Sequence, residues 1–281
     1  MKNQCATCIG LNPTKIMTTD NNYVPEWLEE EDYVSKFIKR KNKNIKVYRK
    51  KNADTKLELN VGKSRSNKYI LYWGAKSSNQ IIINDAKKAY SNFSNYGVSK
   101  VDKDGNTILY FDCPQAYSTK EKNKNHKETF YRHIHFCFSN KDNSEWLETV
   151  YSKIVLCDLS VEETLKLNNS NSILLLNTLP KSSYEKNHIP NSYNLHYKEI
   201  RKMGKNELIK LFASIIKNNN PKISELLDKK KLAHYEIPIV VHCGNKNCSL
   251  SEKAAIELQK KGFVNIREFT GGMEEYQNSL S

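Results

Sequence analysis

The sequence predicts two parts: an N-terminal region of α+β or β-rich class, and a C-terminal α/β domain over residues 152–281. Three observations carry that prediction. The apolar run Pro238-Ile239-Val240-Val241-His242-Cys243 stops at a cysteine, and a polar loop and an amphipathic pattern from Leu250 to Lys261 follow it, which reads as strand, loop and helix. Strand-like runs flank this unit, Ile173 to Leu179 upstream and Gly262 to Phe269 downstream, and such alternation marks an α/β domain. In the N-terminal half, short apolar runs are separated by turn residues.

Along the chain, residues 1–22 read as a loose, flexible tail and residues 23–150 as an N-terminal domain of unknown role. A short acidic helix is expected around Glu26 to Val34, followed by a basic stretch. Tyr69 to Trp73 reads as a strand. Asp85 to Asn95 has helical spacing of Ala86, Ala89, Tyr90 and Phe93, with Gly97 as its C-cap. Val98 to Val101, the turn Asp102-Lys103-Asp104-Gly105 and Thr107 to Phe111 predict a hairpin. A lysine-rich loop from Ser118 to Glu128 leads into a strand over Phe130 to Phe138. Ser160-Val161-Glu162-Glu163 is a capping-box signature that opens the first helix of the C-terminal domain.

Composition narrows the function classes. No apolar run is long enough to span a bilayer, and Met1 to Thr14 is too polar for a secretory leader, so no membrane contact is expected. Seven cysteines, an odd number at irregular spacing, argue against a secreted disulfide framework and for an intracellular, cytoplasmic protein. The net charge of +14 concentrates between Lys36 and Lys68, where 13 Lys or Arg face 2 acids, Asp54 and Glu58. Aromatic residues interleave with those cations, so weak non-specific nucleic-acid contact through 36–68 is one expectation and a solvated basic face the other.

Chemistry concentrates at Cys243. A thiol between a strand end and a helix N-terminus faces N–H groups that lack intrahelical partners, and their partial positive charge favours the thiolate. The loop Gly244, Asn245, Lys246, Asn247, Cys248 and Ser249 would then shape an anion site, with Lys246 as its one fixed cation. Cys248 is a candidate resolving thiol, able to attack a persulfide on Cys243 and leave a disulfide.

The segments "ILLLNTLPKSSYEKNHIPNSYNL", "PIVVHCGNKNCSLSEKAAIELQKKGFVNI" and "FTGGMEEY" together resemble a rhodanese-like domain over about residues 152 to 281. The resemblance implies an α/β fold with a mostly parallel central sheet, no cofactor, and Cys243 as the nucleophile. It further implies a sulfurtransferase that takes sulfane sulfur from a small donor such as thiosulfate and gives it to a thiol acceptor. The sequence departs from the family pattern at three places. Asn177 and Leu179 stand where an Asp and an Arg are usual, Cys248 stands at the place of the loop arginine, and the pair Ala254-Ala255 lies two residues farther from Cys243. These departures keep a second reading open, a catalytically inactive rhodanese-like module that binds or regulates a partner. Phosphatase chemistry is excluded, because the residue six after Cys243 is Ser249 and not an oxyanion-clamping arginine.

One N-terminal segment, Phe130 to Phe138, could also carry chemistry. Alternation puts Phe130, Ile134, Phe136 and Phe138 on one face and Tyr131, His133, His135 and Cys137 on the other. Two histidines at i and i+2 of one strand can share a metal. With Gly105, Pro114 and Tyr117, the segment is faintly similar to the Tyr and His-Ile-His stretch of intradiol dioxygenases, which implies Tyr117, His133 and His135, joined by Tyr72, as ligands. The expectation here is no metal, with a β-sandwich or hydrogen-bonded histidines instead. Cys5-x-x-Cys8 lacks the second pair that a structural zinc site requires.

Overall fold

The computed structural model describes residues 13–18, 45–120 and 127–281. The acidic helix, Cys5-x-x-Cys8 and the start of the basic stretch lie outside the described residues. The chain divides into two compact units, one of residues 1–78 and 84–155 and the other of 79–83 and 156–281.

The N-terminal unit is built on an antiparallel sheet of β1 (Met17–Thr18), β3 (Tyr69–Gly74), β5 (Tyr96–Lys100), β9 (His133–Phe138) and β10 (Tyr151–Ile154), in the order β1-β10-β9-β3-β5. Strands β2 (Thr55–Asn60) and β6 (Asn106–Phe111) form a second, antiparallel pair, while β4 (Asn84–Asp85), β7 (Tyr117–Lys120) and β8 (Lys127–Phe130) form a third sheet. All six residues of β9 are buried, so both faces of that strand are covered.

Three expectations for this unit are corrected. The predicted hairpin has its turn, with Asp102 accepting from the backbone N–H of Asp104 and Asn106 at 2.8 Å, but β5 pairs with β3 and β6 with β2. The turn is local, and the partners are chosen by burial elsewhere in the unit. The helix over 85–95 is the single turn α1 (Ala86–Tyr90), capped by the Asp85 side chain on Lys88 N and ended at Ser91, with φ 49°. Gly97 lies instead in β5, where a Cβ would run into the Tyr72 hydroxyl, so its role is to make room for that ring. Phe130 to Phe138 is two strands, β8 and β9, separated at Tyr131 and Arg132.

In the C-terminal unit, β11 (Leu174–Asn177), β12 (Tyr193–Asn194), β13 (Ile239–His242) and β14 (Ile266–Phe269) form a sheet ordered β12-β11-β13-β14 with every pairing parallel. Parallel strands covered on both faces are expected to be apolar throughout, and β11, β13 and β14 are buried at every position. On one side Leu175, Val240 and Phe269 pack with Leu159, Leu167, Met273 and Tyr276. The helices are α2 (Val161–Asn169), α3 (Lys181–Lys186), α4 (Tyr197–Lys202), α5 (Lys205–Asn219), α6 (Pro221–Asp228), α7 (Leu250–Lys260) and α8 (Gly272–Asn278). Helix α5 buries Leu208, Phe212 and Ile216, and the Phe212 ring meets Phe263 edge-on at 5.3 Å. The capping box forms as predicted, with Ser160 Oγ accepting from Glu163 N and Glu163 Oε2 from Ser160 N, both at 3.2 Å.

The cysteines differ from the expected set of reduced thiols: Cys113 and Cys157 are disulfide-bonded, whereas Cys137, Cys243 and Cys248 are in no disulfide. Counting and spacing do not reveal which sulfurs the fold brings together. Among the described residues, no helix is long and apolar enough to cross a membrane.

Candidate active site

Strand β13 sets Cys243 one residue beyond its end, next to the carboxyl edge of the sheet. The chain then crosses a six-residue loop, closed by Cys248 N donating to Asn245 O at 2.9 Å, before α7 begins at Leu250. The far wall is the start of α8. Met273 N donates to Cys243 O at 3.0 Å and Glu274 N to Gly244 O at 2.9 Å. That close approach requires Gly272, whose φ is 56° and where a Cβ would run into the Cys243 carbonyl oxygen.

The two loop thiols occupy different surroundings. Cys243 is 0% exposed, and its Sγ lies 3.1 Å from both Cys248 O and Ser251 Oγ. Burial and the facing Cys248 push its thiol up, against the hydroxyl and N–H of Ser251. Cys248 is half-buried. Its partial burial works against the anion, but the Cys243 thiol and the backbone N–H groups of Gly244 and Leu250 donate to its sulfur and carry the thiol below its ordinary value. The lowering expected at Cys243 falls on Cys248 instead, because the loop amides converge on the second sulfur.

The remaining loop residues serve the loop or its neighbours. Asn245 Oδ1 accepts from Asn247 N at 3.1 Å, and Lys246 pairs with Glu275 of α8 at 3.4 Å instead of standing over the loop. Ser249 is the residue before α7 and makes no capping side-chain bond. His242 is fully buried, with Nδ1 3.4 Å from Cys243 O, and burial pushes its pKa down to about 4. At the neighbouring strand end, Asn177 Oδ1 accepts from Leu179 N at 3.0 Å, which orders the turn without a charged pair.

Sequence reading missed Glu268. It lies on β14, only 7% exposed, and its Oε1 accepts from Ser251 Oγ at 2.6 Å. Burial, with Glu252 and Asp158 nearby, pushes its pKa up to about 7 against the Ser251 bond. The available signal was a carboxylate at an inward position of a strand that is otherwise apolar on that side.

The N-terminal candidates also meet. His133 Nε2 lies 3.1 Å from His135 Nε2 and 3.3 Å from Tyr117 Oη, His133 Nδ1 is 2.6 Å from Tyr131 O, and His135 Nδ1 is 2.7 Å from Ser152 Oγ. A Ser152 hydroxyl donating to His135, His135 Nε2–H donating to His133, and His133 Nδ1–H donating to Tyr131 O complete one unbroken hydrogen-bond chain. Tyr72 does not join it. Its hydroxyl bonds the backbone of Tyr110, and Tyr90 Oη stands 3.3 Å from Tyr117 instead. Among the described residues, no three His, Cys, Asp or Glu side chains are arranged to hold a metal ion.

Several of the described cations of the basic stretch are engaged within their own unit, while Lys46 and Lys51 are exposed. Arg49 stacks 3.4 Å over the Tyr110 ring, Lys50 pairs with Asp112 at 3.2 Å, Arg65 donates to Tyr151 Oη at 3.2 Å and Lys68 to Asn140 O at 2.8 Å.

Known proteins resemble the C-terminal part of the chain. No curated protein matches the chain. Among solved structures, the human single-domain sulfurtransferase TSTD1 is 17% identical with a TM-score of 0.33, the match covering 44% of this chain and 97% of that one. The single-domain sulfurtransferase RDL2 of Saccharomyces cerevisiae is 11% identical, TM-score 0.32, over 44% of this chain and 91% of that one. For the 3-mercaptopyruvate sulfotransferase SseA of Escherichia coli the values are 17%, 0.30, and 41% of both chains. The assignment itself rests on the family model described as the rhodanese-like domain, which matches residues 160–279, so the C-terminal part of this chain is a rhodanese-like domain.

Proposed function

We propose that this domain is a sulfurtransferase that carries sulfane sulfur as a persulfide on Cys243, taken from a small donor such as thiosulfate and passed to a thiol acceptor. The observation that carries the reading is the convergence of two free thiols and the N–H groups of Gly244, Leu250 and Ser251 beyond one strand end. In the loading step the Cys243 thiolate attacks the outer sulfur of thiosulfate, the S–S bond breaks, and sulfite leaves with the bonding pair. An acceptor thiolate then takes the terminal sulfur and returns Cys243 to its starting form. Cys248 offers a second exit: its thiolate attacks Cys243 Sγ, a disulfide forms, and hydrosulfide leaves, so the pair is oxidised as the sulfane sulfur is reduced. For donor access the Cys248 side chain must leave its place over Cys243. The loop has room beside Gly244, where a Cβ would meet nothing within 4 Å.

An intracellular, cytoplasmic setting belongs to this proposal. The free thiols of Cys243 and Cys248 support it, and the disulfides at Cys113 and Cys157 weigh against it. Nucleic-acid contact through 36–68 has net charge and the exposed Lys46 and Lys51 as its support.

The rival reading, an inactive binding module, is favoured by two observations: Cys243 is 0% exposed, and the loop has no arginine. Thiosulfate labelled in its outer sulfur separates the two. The full chain should place label on the Cys243 peptide and release sulfite in equal amount, with Cys243→Ser losing both. A wild-type chain that takes up no label from thiosulfate or from a small organic persulfide sinks the transferase reading and leaves the binding module.

A further inference from the structure

We propose that Glu268 takes the proton of the Cys243 thiol through the Ser251 hydroxyl, so that one negative charge is shared along the buried path Cys243 Sγ, Ser251 Oγ and Glu268 Oε1. The inference rests on Cys243 being the sulfur-bearing thiol. Its first support is geometry: Ser251 Oγ stands 3.1 Å from Cys243 Sγ and 2.6 Å from Glu268 Oε1. A hydroxyl can accept from one side while donating to the other, which is what a proton carrier must do.

The second support is the company Glu268 keeps. A buried carboxylate is costly unless a cation pairs with it. Among the described residues the charged groups acting on Glu268 are acids, Glu252 on α7 and Asp158 in the segment bridged to β14, with the Cys248 thiol next in the loop. Its chain neighbour Arg267 reaches away, donating to Asn79 Oδ1 at 2.8 Å. Among the described residues the polar contact of the Glu268 side chain is the hydroxyl that also touches the cysteine. Its pKa of about 7 suits a group that accepts a proton near neutral pH.

The transfer is balanced. For the transfer the Cys243 S–H, which otherwise donates to Cys248, turns to Ser251 Oγ, while the Ser251 O–H donates to the Glu268 carboxylate. In the active form the thiolate accepts from Ser251 O–H, and Glu268 holds the proton as a carboxylic acid. The Ser251 N–H remains on the sulfur in both. Glu268 is a positioning residue in this scheme, since it acts through Ser251. It restores the anionic group that the family pattern places elsewhere and this sequence lacks at Asn177.

Alkylation of Cys243 by iodoacetamide, followed by peptide mass spectrometry in a full-length Cys248→Ser chain, tests this without any sulfur donor. With Glu268 present, the rate should rise through pH about 7 to a plateau and rise again only where the thiol itself ionises. In Glu268→Gln the first rise should vanish, with alkylation at pH 7.5 slowed about tenfold or more. Simple electrostatics predicts the opposite sign, because removing a buried negative neighbour makes a thiol more acidic. Faster or unchanged alkylation in Glu268→Gln therefore overturns the inference. Ser251→Ala keeps the carboxylate but cuts the path, should lose the same rise, and guards against a Gln variant that fails to fold; an intact first rise in it overturns the inference as well. A normal profile change without sulfur uptake would instead fault the transferase reading alone.

Discussion

A thiol's chemistry is set by what its sulfur touches, and at this site five residues of sequence separate two opposite cases. Cys243, fully buried, faces a carbonyl, a hydroxyl and one backbone N–H, while Cys248 receives two backbone N–H groups and a thiol. Ionisation and exposure act in the same direction here. At pH 7, Cys248 should therefore be alkylated at least about tenfold faster than Cys243 in the wild-type chain. Peptide-resolved labelling at short times checks this. Equal rates, or Cys243 first, would mean that the loop amides turn to the first sulfur in solution. Cys248→Ser should in addition change which product appears after sulfur loading, because hydrosulfide release needs the second thiol. Lead acetate or a sulfide electrode would read that loss.

At the scale of elements, Gly272 links α8 to the cysteine loop. Its φ of 56° and the carbonyl of Cys243 in the path of any Cβ make Gly272→Ala strained twice over, once in the backbone and once in the contact. We expect a loss of about 2–4 kcal/mol, above the ~1 kcal/mol for backbone strain alone, measured as a lower urea midpoint. Gly262→Ala is the control: φ is 88° there as well, but the nearest atom is the end of the Lys205 side chain at 3.0 Å, which can move. Its cost should stay near the backbone value. Equal losses in the two variants would show that the Cys243 carbonyl yields. The same element explains what could be read in advance. Strand, loop, helix and the Gly-Gly turn follow each other within 36 residues, 238 to 273, so their order and spacing were visible in sequence. Ser160 and Glu163 likewise announce a helix because a capping box is local. Glu268 was not legible, since its partner Ser251 lies 17 residues away across helix α7 and a turn. Gly97 misled for a related reason: its neighbour in space is Tyr72, and no local pattern tells a C-cap glycine from one that makes room for a ring. The split of β5 and β6 between two sheets likewise depends on β2 and β3, far off in sequence.

For the whole molecule, buried titratable groups give the two units different responses to acid. His133 in the N-terminal unit has its pKa pushed down to about 4 by burial, and His135 well below its ordinary value by burial and its His133 neighbour. Both are neutral when folded, whereas an unfolded chain binds their protons below pH about 6.5. Their contribution is complete above that pH and is lost as pH falls toward 4, by up to about 3 kcal/mol for His133 alone. In the C-terminal unit His242, pushed to about 4, has the same sign, but Glu268, raised to about 7, has the other. Stability from Glu268 is complete below pH about 4.5, where folded and unfolded chains both hold the proton, and is lost as pH rises to 7. Between pH 6.5 and 4.5 these two slopes cancel in the C-terminal unit, and among the described residues nothing comparable offsets the histidine pair in the other. Urea unfolding followed by Trp73 and Trp146 fluorescence reports the N-terminal unit, and Cys243 capture by a pyridyl disulfide, which reacts in acid, reports the C-terminal one. The fluorescence midpoint should drop steadily over that interval while the thiol midpoint stays level. In Glu268→Gln the alkaline arm disappears, so the thiol midpoint should now fall with acid as well. A level thiol midpoint in that variant would mean that Glu268 is not protonated in the folded domain near neutrality, and that the carboxylate is held charged by something other than Ser251.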